Sequence, residues 1–240
     1  MTDAGSVTDG DALWVIMPAA GSGTRFGGEI PKQYLQVAGR PLIEHALDAL
    51  LGHPRIAGAV VAVAADDPHW AGCTERCGKP VHRCVGGSKR ADSVLAALQA
   101  LPDTVPAAAL VLVHDAARPN LKRSDLDRLL EVAAECPDGA ILAAPVRDTL
   151  KRAAADQTIA ATQPREQLWR ALTPQAFRRG ELTRALLSAR ADGVAVTDEA
   201  MAMERLGARP RLVEGREDNL KVTTPADLAL ARFLLESGAS

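Results

Sequence analysis

Short, unbroken apolar runs alternate with amphipathic stretches along most of this chain. Leu13 to Met17 is apolar at every position and has the length of a buried strand, and Ala59 to Ala65 (AVVAVAA), Leu110 to Val113 and Gly139 to Val146 repeat the pattern. Between these runs the apolar residues fall at helical spacing. Pro41 opens a stretch with Leu42, Ile43, Ala46, Leu47 and Leu50 on one side, and proline suits a first helical turn. Lys89 to Leu101 carries Val94, Leu95, Leu98 and Leu101 as its stripe. Ser124 begins another helix with Leu126, Leu129, Leu130 and Ala133, and its Ser124-x-x-Asp127 has the form of a capping box. Helices are also predicted from Glu181, from Thr197 to about Leu206 before Gly207, and from Thr224, where Pro225 and Asp227 complete a second capping box. Arg211 to Val213 reads as a short strand.

Strands that are apolar throughout, rather than at alternate positions, belong to sheets covered on both faces. Interleaved with helices, they predict an α/β fold with a doubly wound, mostly parallel sheet. Ligands in such sheets bind beyond the carboxyl ends of the strands. Two chemically distinctive segments fall there: a glycine-rich turn after Met17 and Asp115 after Val113. Residues 147–172 (RDTLKRAAADQTIAATQPREQLWRAL) break the rhythm. A segment this long and polar is expected to be functional or to form an arm. Residues 1–11 read as a loose, disordered tail.

Composition narrows the class. The chain has 240 residues, enough for one large α/β domain or two small ones, and 47% of them are hydrophobic. Aromatics are only 3%, so Ala, Val, Leu and Ile must build the core. A formal net charge of -2 argues against bulk binding to nucleic acid or to a membrane surface, so any anion site is local. No run of about 18 apolar residues predicts a membrane span. The polar start lacks the features of a secretory signal, so Cys73, Cys77, Cys84 and Cys136 are expected as free thiols in a reducing cytoplasm. Three of them lie near His69 and His82 in sequence, but the spacing matches no standard zinc pattern.

The turn Pro18-Ala19-Ala20-Gly21-Ser22-Gly23-Thr24-Arg25, with Pro31-Lys32-Gln33 after it, carries the strongest chemical signal. Small residues let a ligand approach the backbone, exposed N–H groups cradle phosphate oxygens, and Arg25 and Lys32 supply positive charge. The turn is not a P-loop, because no Gly-Lys-Ser/Thr closes it. It is not a dinucleotide fingerprint, because Phe26 stands where the third glycine belongs. In Val113-His114-Asp115-Ala116-Ala117-Arg118-Pro119, Asp115 is placed to hold Mg²⁺, which needs only one or two carboxylates beside phosphate oxygens. His114 reads as a packing residue rather than a base. Gly86-Gly87-Ser88-Lys89-Arg90-Ala91-Asp92-Ser93 suggests a loop against a flat base or a ribose, with Ser93 as a hydrogen-bonding residue or simply part of a helix start. Thr197-Asp198-Glu199 fits a helix cap as well as a ligand site. Lys221 is either a second phosphate ligand or a surface charge.

Taken together, PAAGSGTRFGGEIPKQYL, GGSKRADSVLAAL, VHDAARP, AAPVRDTLKR, LWRALTPQAF, TDEA and VEGREDNLKVT resemble the 2-C-methyl-D-erythritol 4-phosphate cytidylyltransferase family. The resemblance runs from Leu13 to Leu234. It implies a Rossmann-like nucleotidyltransferase fold over residues 12–240 and a homodimer built through an arm at about residues 147–172. It also implies a cytoplasmic enzyme that transfers CMP from CTP to the polyol phosphate and releases pyrophosphate, with Mg²⁺ or another divalent cation.

Carried over residue by residue, the resemblance makes Arg25, Lys32 and Lys221 catalytic. Ala19, Ala20, Gly21, Gly23, Arg25, Lys32, Gly87 and Ser93 match CTP-binding positions. Asp115, which also matches the metal position, Arg118, Thr149, Arg165, Thr173, Thr197 and Lys221 surround the polyol phosphate. One departure is Ser88, at a position beside the base where some members carry an acid. The alternatives are a cytidylyltransferase for another polyol phosphate such as ribitol 5-phosphate, another sugar-nucleotide pyrophosphorylase, and an inactive nucleotide-binding module.

Overall fold

A computed structural model describes residues 12–21, 30–70 and 72–238. The expected tail 1–11, and with it Gly23 and Arg25, lies outside the described residues. An eight-stranded sheet forms the centre. Its strands in chain order are β1 (Leu13–Pro18), β4 (Ile56–Val63), β5 (Glu75–Arg76), β6 (Lys79–Val85), β7 (Leu110–Val113), β8 (Ala140–Pro145), β11 (Trp169–Arg178) and β12 (Arg211–Glu214). Two short antiparallel ribbons stand apart, β2 (Gln36–Val37) with β3 (Arg40–Pro41), and β9 (Leu150–Ala153) with β10 (Ile159–Gln163). The spatial order is β12-β8-β11-β7-β1-β4-β6-β5. Strands β1, β4, β6 and β7 are mutually parallel neighbours, as are β8 and β12, whereas β11 runs antiparallel between β7 and β8.

Helices cover both faces, which is why the strands are apolar at every position. Along β1, Leu13, Val15 and Met17 face the core that contains Ile43, Leu47 and Leu50 of α1 (Leu42–Leu51) and Leu126, Leu129 and Leu130 of α3 (Arg123–Glu135). Trp14 and Ile16 face the opposite core. There they meet Val94, Leu95 and Leu98 of α2 (Arg90–Gln99), Leu182 and Leu186 of α4 (Arg179–Ala191), and Ala202 and Met203 of α5 (Glu199–Arg205). The last helix, α6 (Pro225–Glu236), packs Ala231 against Val37, Leu42 and Val222.

Three local expectations need revision. The capping box at Ser124 does not form: Lys122 precedes α3 with no side-chain cap. Asp127 is instead engaged by His53 Nε2 at 2.8 Å and by Arg123 Nε at 3.2 Å, so a tertiary contact has taken the carboxylate. The α5 cap is Asp198, which accepts from Met201 N–H, rather than Thr197. Finally, Trp169–Arg178 is a central strand inside and beyond the stretch read as irregular. Pro174 sits where the pairing of β11 with β8 is interrupted, between Ala171 and Gln175. A proline without an N–H is tolerated in a sheet at such an interruption. The capping box at Thr224 forms as expected, with Pro225 in the first turn.

Candidate active site

A cavity of about 330 Å³ opens at the carboxyl ends of the parallel strands. The residues after β1 (Ala19, Ala20, Gly21), after β6 (Gly87 to Arg90), after β7 (Asp115 to Ala117) and after β12 (Lys221, Thr223) line it. Lys32 and Gln33 complete it from a short 3-10 turn, Lys32–Tyr34. A second hollow of about 240 Å³ adjoins the first, with Arg90, Asp115 and Lys221 common to both. Arg118, Thr173, Thr197 and Asp198 also line this second lobe.

Gln33 locks the first lobe's two entry segments together. Its Nε2 donates to the carbonyls of Ala19 at 2.7 Å and Gly21 at 3.2 Å, which fastens the turn carrying Lys32 to the glycine-rich turn. Tyr34 extends the fastening, since its hydroxyl donates to Asp67 at 2.7 Å. On the facing wall, Gly87 N–H donates to Ser93 Oγ at 3.1 Å. Ser93 is buried, and its hydroxyl braces the 86–89 loop while the residue lines the cavity. No side chain larger than glycine fits at Gly86: a Cβ there would stand 2.5 Å from Ala20 Cβ and 2.8 Å from Ser93 Oγ.

Asp115 is the electrostatic centre. Arg90 Nε lies 3.0 Å from Oδ1, while Lys221 Nζ at 2.9 Å and Arg118 Nε at 3.6 Å face Oδ2. Burial by itself would raise the Asp115 carboxyl. The charges of Arg90, Lys221 and Arg118 outweigh burial and hold it far below the usual carboxylate range. Arg118 is lowered by its own burial, against the pull of Asp115.

A hydrogen-bonded ring lies behind Asp115. Asp115 N–H donates to Thr173 Oγ1 at 3.1 Å, and Thr173 Oγ1 lies 3.0 Å from His114 Nδ1. His114 Nε2 reaches the Arg118 carbonyl at 3.0 Å. Arg118 Nη1 donates to the Asn219 carbonyl at 2.7 Å, and Asn219 Nδ2 donates back to the Thr173 carbonyl at 2.8 Å. The carbonyl at Nε2 requires a proton there, so Nδ1 accepts from the Thr173 hydroxyl. Burial drives the His114 pKa down to about 4, so the ring is neutral near pH 7. His114 is therefore a structural brace, as read from the sequence.

The structure brings Ala19, Ala20, Gly21, Lys32, Gly87, Ser93, Asp115 and Lys221 to the first lobe, and Arg118, Thr173 and Thr197 to the second. Lys32 and Asp115 thus share one cavity. Thr149 and Arg165 are not brought there: both are exposed on the 147–172 segment, where Arg165 donates to the Arg147 carbonyl. The sequence reading overlooked Arg90, Glu199, Gln33 and Asn219. Arg90 and Glu199 stand inside quoted motifs, but a charge beside a helix start is ordinarily solvated, so neither signalled its burial. Among the described residues no group of three or more His, Cys, Asp and Glu gathers as a metal cage, and Asp115 is the one carboxylate lining the first lobe. That donor set suits a cation bound mainly through phosphate oxygens. Among the described residues, no helix is long and apolar enough to cross a membrane.

Comparison with known proteins places this cleft in a family. The family model described as IspD: 2-C-methyl-D-erythritol 4-phosphate cytidylyltransferase matches residues 13–237. The 2-C-methyl-D-erythritol 4-phosphate cytidylyltransferase of Stenotrophomonas maltophilia is 65% identical over 228 residues, covering 95% of this chain and 98% of its own. That of Xanthomonas campestris pv. campestris is 65% identical over 224 residues, covering 93% of this chain and 84% of its own. A crystal structure of 4-diphosphocytidyl-2C-methyl-D-erythritol synthase superposes with a TM-score of 0.80 at 38% identity, over 94% of this chain and 99% of that one. The Thermus thermophilus cytidylyltransferase superposes with a TM-score of 0.75 at 35% identity, over 92% of this chain and 98% of that one. With the fold, the segments around the cleft and these likenesses in agreement, the chain belongs to the 2-C-methyl-D-erythritol 4-phosphate cytidylyltransferase family.

Proposed function

We propose that the cleft is where this chain transfers CMP from CTP to 2-C-methyl-D-erythritol 4-phosphate. The products are 4-diphosphocytidyl-2-C-methyl-D-erythritol and pyrophosphate, and the step belongs to non-mevalonate isoprenoid precursor biosynthesis. The observation that carries this reading is the meeting of Lys32, Asp115 and Lys221 in one cavity, in a member of this family. CTP takes the first lobe, with the cytidine against Ala19, Ala20, Gly87 and Ser93 and the triphosphate toward Gly21 and Lys32. Gly23 and Arg25, from the same glycine-rich segment of the sequence, share this phosphate-binding role. The polyol phosphate takes the second lobe, beside Asp115, Arg118, Thr173, Thr197 and Lys221.

The nucleophile is a phosphate monoester oxygen, whose second pKa of about 6 makes it largely a dianion at pH 7. It needs no general base. It attacks the α-phosphorus, a new P–O bond forms, and the bond to the bridging oxygen breaks with its electrons going to pyrophosphate. The obstacle is repulsion: two unit charges about 4 Å apart repel by roughly 4 kcal/mol at an effective dielectric of 20. Fixed cations remove it. Arg25 and Lys32 stabilise the charge that grows on the leaving group, while Arg118 and Lys221 orient the attacking phosphate. Asp115 would hold a Mg²⁺ ion, which would supply further charge neutralisation when bound.

The 147–172 arm completes the acceptor site from a second copy of the chain. Exposed Ile159, Leu168 and Trp169 on this segment give it the apolar surface that a partner would cover, and Thr149 and Arg165 then face the partner's acceptor. The single-domain reading of residues 12–240, the homodimer and a cytoplasmic location belong to this proposal. Arg165→Ala is expected to raise KM for the polyol phosphate more than KM for CTP. Equal effects on the two would remove Arg165 from the acceptor site.

On the nucleotide side, Gly86→Ala pushes Ala20 and Ser93 apart. A displacement of this size is expected to lower kcat/KM for CTP by on the order of 10²-fold. An unchanged value would separate this loop from the base. The whole reading is tested by incubating the chain with CTP, Mg²⁺ and either methylerythritol phosphate or ribitol 5-phosphate, with product mass and pyrophosphate as readouts. Product from the first alone is expected. Preference for ribitol 5-phosphate would reassign the acceptor, and CTP binding without turnover would leave only a nucleotide-binding module.

A further inference from the structure

We propose that Arg90 and Glu199 are positioning residues for the transfer reaction, a buried ion pair that holds the carboxylate of Asp115 and ties the nucleotide side of the cleft to its acceptor side. The proposal rests on the assignment of the two lobes made above. Arg90 is the first residue of α2, directly after the 86–89 loop that lines the first lobe. Glu199 is the first residue of α5, directly after Thr197 and Asp198, which line the second. The two stand 109 positions apart in sequence, yet Nη1 donates to Oε1 at 2.5 Å and Nη2 to Oε2 at 3.0 Å. The remaining nitrogen, Nε, donates to Asp115 Oδ1 at 3.0 Å.

Each nitrogen of Arg90 therefore already meets a carboxylate oxygen, although the residue lines both lobes. This makes it a poor candidate for a direct phosphate ligand and a good one for a strut. Glu199 is 1% exposed. Burial pushes its carboxyl up, and the guanidinium opposes that, with both oxygens accepting from Arg90. An apolar pair of similar shape would hold two helices together as well as a buried ion pair does. What only a planar guanidinium does here is donate in several fixed directions at once. Two of those directions lock α2 to α5, and the third fixes Oδ1 of Asp115 so that Oδ2 faces Lys221 and Arg118. Charge supports the same role. The three cations Arg90, Arg118 and Lys221 gather around the carboxylates of Asp115 and Glu199, so the pair sits inside one ionic cluster rather than apart from it.

The test uses the full chain, steady-state kinetics with each substrate varied in turn, CTP binding by calorimetry, and thermal unfolding. Glu199→Gln keeps the size and loses the charge. It is expected to remain folded and to bind CTP nearly as the wild type does, while kcat falls by on the order of 10²-fold through misplacement of the groups that meet at Asp115. Arg90→Lys is expected to show the same split, because a point-charged ammonium cannot reproduce the fork. It also carries the test alone should Glu199→Gln fail to fold. A kcat that matches the wild type, directly or after correction for the unfolded fraction, overturns the proposal and leaves the pair a purely structural bridge. A CTP affinity that falls as much as kcat also overturns it, by making Arg90 a nucleotide ligand. If the wild-type chain itself forms no product, the functional assignment fails and this inference with it. Wild-type turnover with unaffected variants defeats the inference alone.

Discussion

Lys32→Ala is expected to fold normally and to lose kcat by on the order of 10²- to 10³-fold, the cost of removing one preorganised donor from a developing charge. The fold should survive because neighbouring residues fasten the turn. Gln33 fastens it to Ala19 and Gly21, Tyr34 fastens it to Asp67, and Leu42 N–H donates to the Leu35 carbonyl just beyond it. The rate should suffer because charge moves onto the leaving pyrophosphate only as the α–β bridge breaks. A cation placed there then contributes more in the transition state than in the bound ground state. KM for CTP should accordingly change less than kcat. Circular dichroism establishes that the variant is folded, and pyrophosphate release measures kcat. A near-normal kcat would remove Lys32 from the chemistry.

Asp115→Asn is expected to be the most damaging neutral, isosteric change for stability, on the order of 3 kcal/mol, because it takes the counter-charge from a buried cluster. Arg90 would still have Glu199, but Arg118 and Lys221 would be left without a carboxylate. Lys221 is 35% exposed, so water screens part of its share and the low end of the usual range applies. Denaturant midpoints at constant slope measure the loss. A second readout is specific to the cluster. Pyrophosphate or CTP should stabilise the variant more than the wild type, since an anion takes the place of the missing charge. Equal stabilisation of both proteins would show that the cations near Asp115 do not serve an incoming anion.

Much of the fold was legible because its signals are local. A strand buried on both faces is apolar at every position, and β1, β4, β7 and β8 obey this rule. Strand β6 did not stand out, since only Val81 along its length is buried. Strand β11 did not either. Its first residues are exposed, and Pro174 interrupts a run whose second half is sheltered between β7 and β8. The capping signals met different fates for one reason. Asp227 has no stronger partner than the start of its own helix, where it accepts from Thr223 and Thr224, whereas Asp127 meets His53 from a distant loop. Local pattern cannot rank such competitors.

The site divides in the same way. Gly21, Lys32, Gly87, Asp115 and Lys221 were readable because each follows a strand or stands in a turn where its residue type has a direct chemical use. Arg90 and Glu199 were not, because their meaning arises only when α2 and α5 lie side by side. Thus the order of apolar and polar positions, with a few glycines and charges at strand ends, determined the doubly wound sheet and the family. Only the tertiary structure decided which charge faces which carboxylate, that His114 is neutral, and that Thr149 and Arg165 stand apart from the cleft of their own chain. Periodicity and residue type act over a few neighbours along the chain. Ion pairing and desolvation depend on distances in space that no stretch of sequence contains.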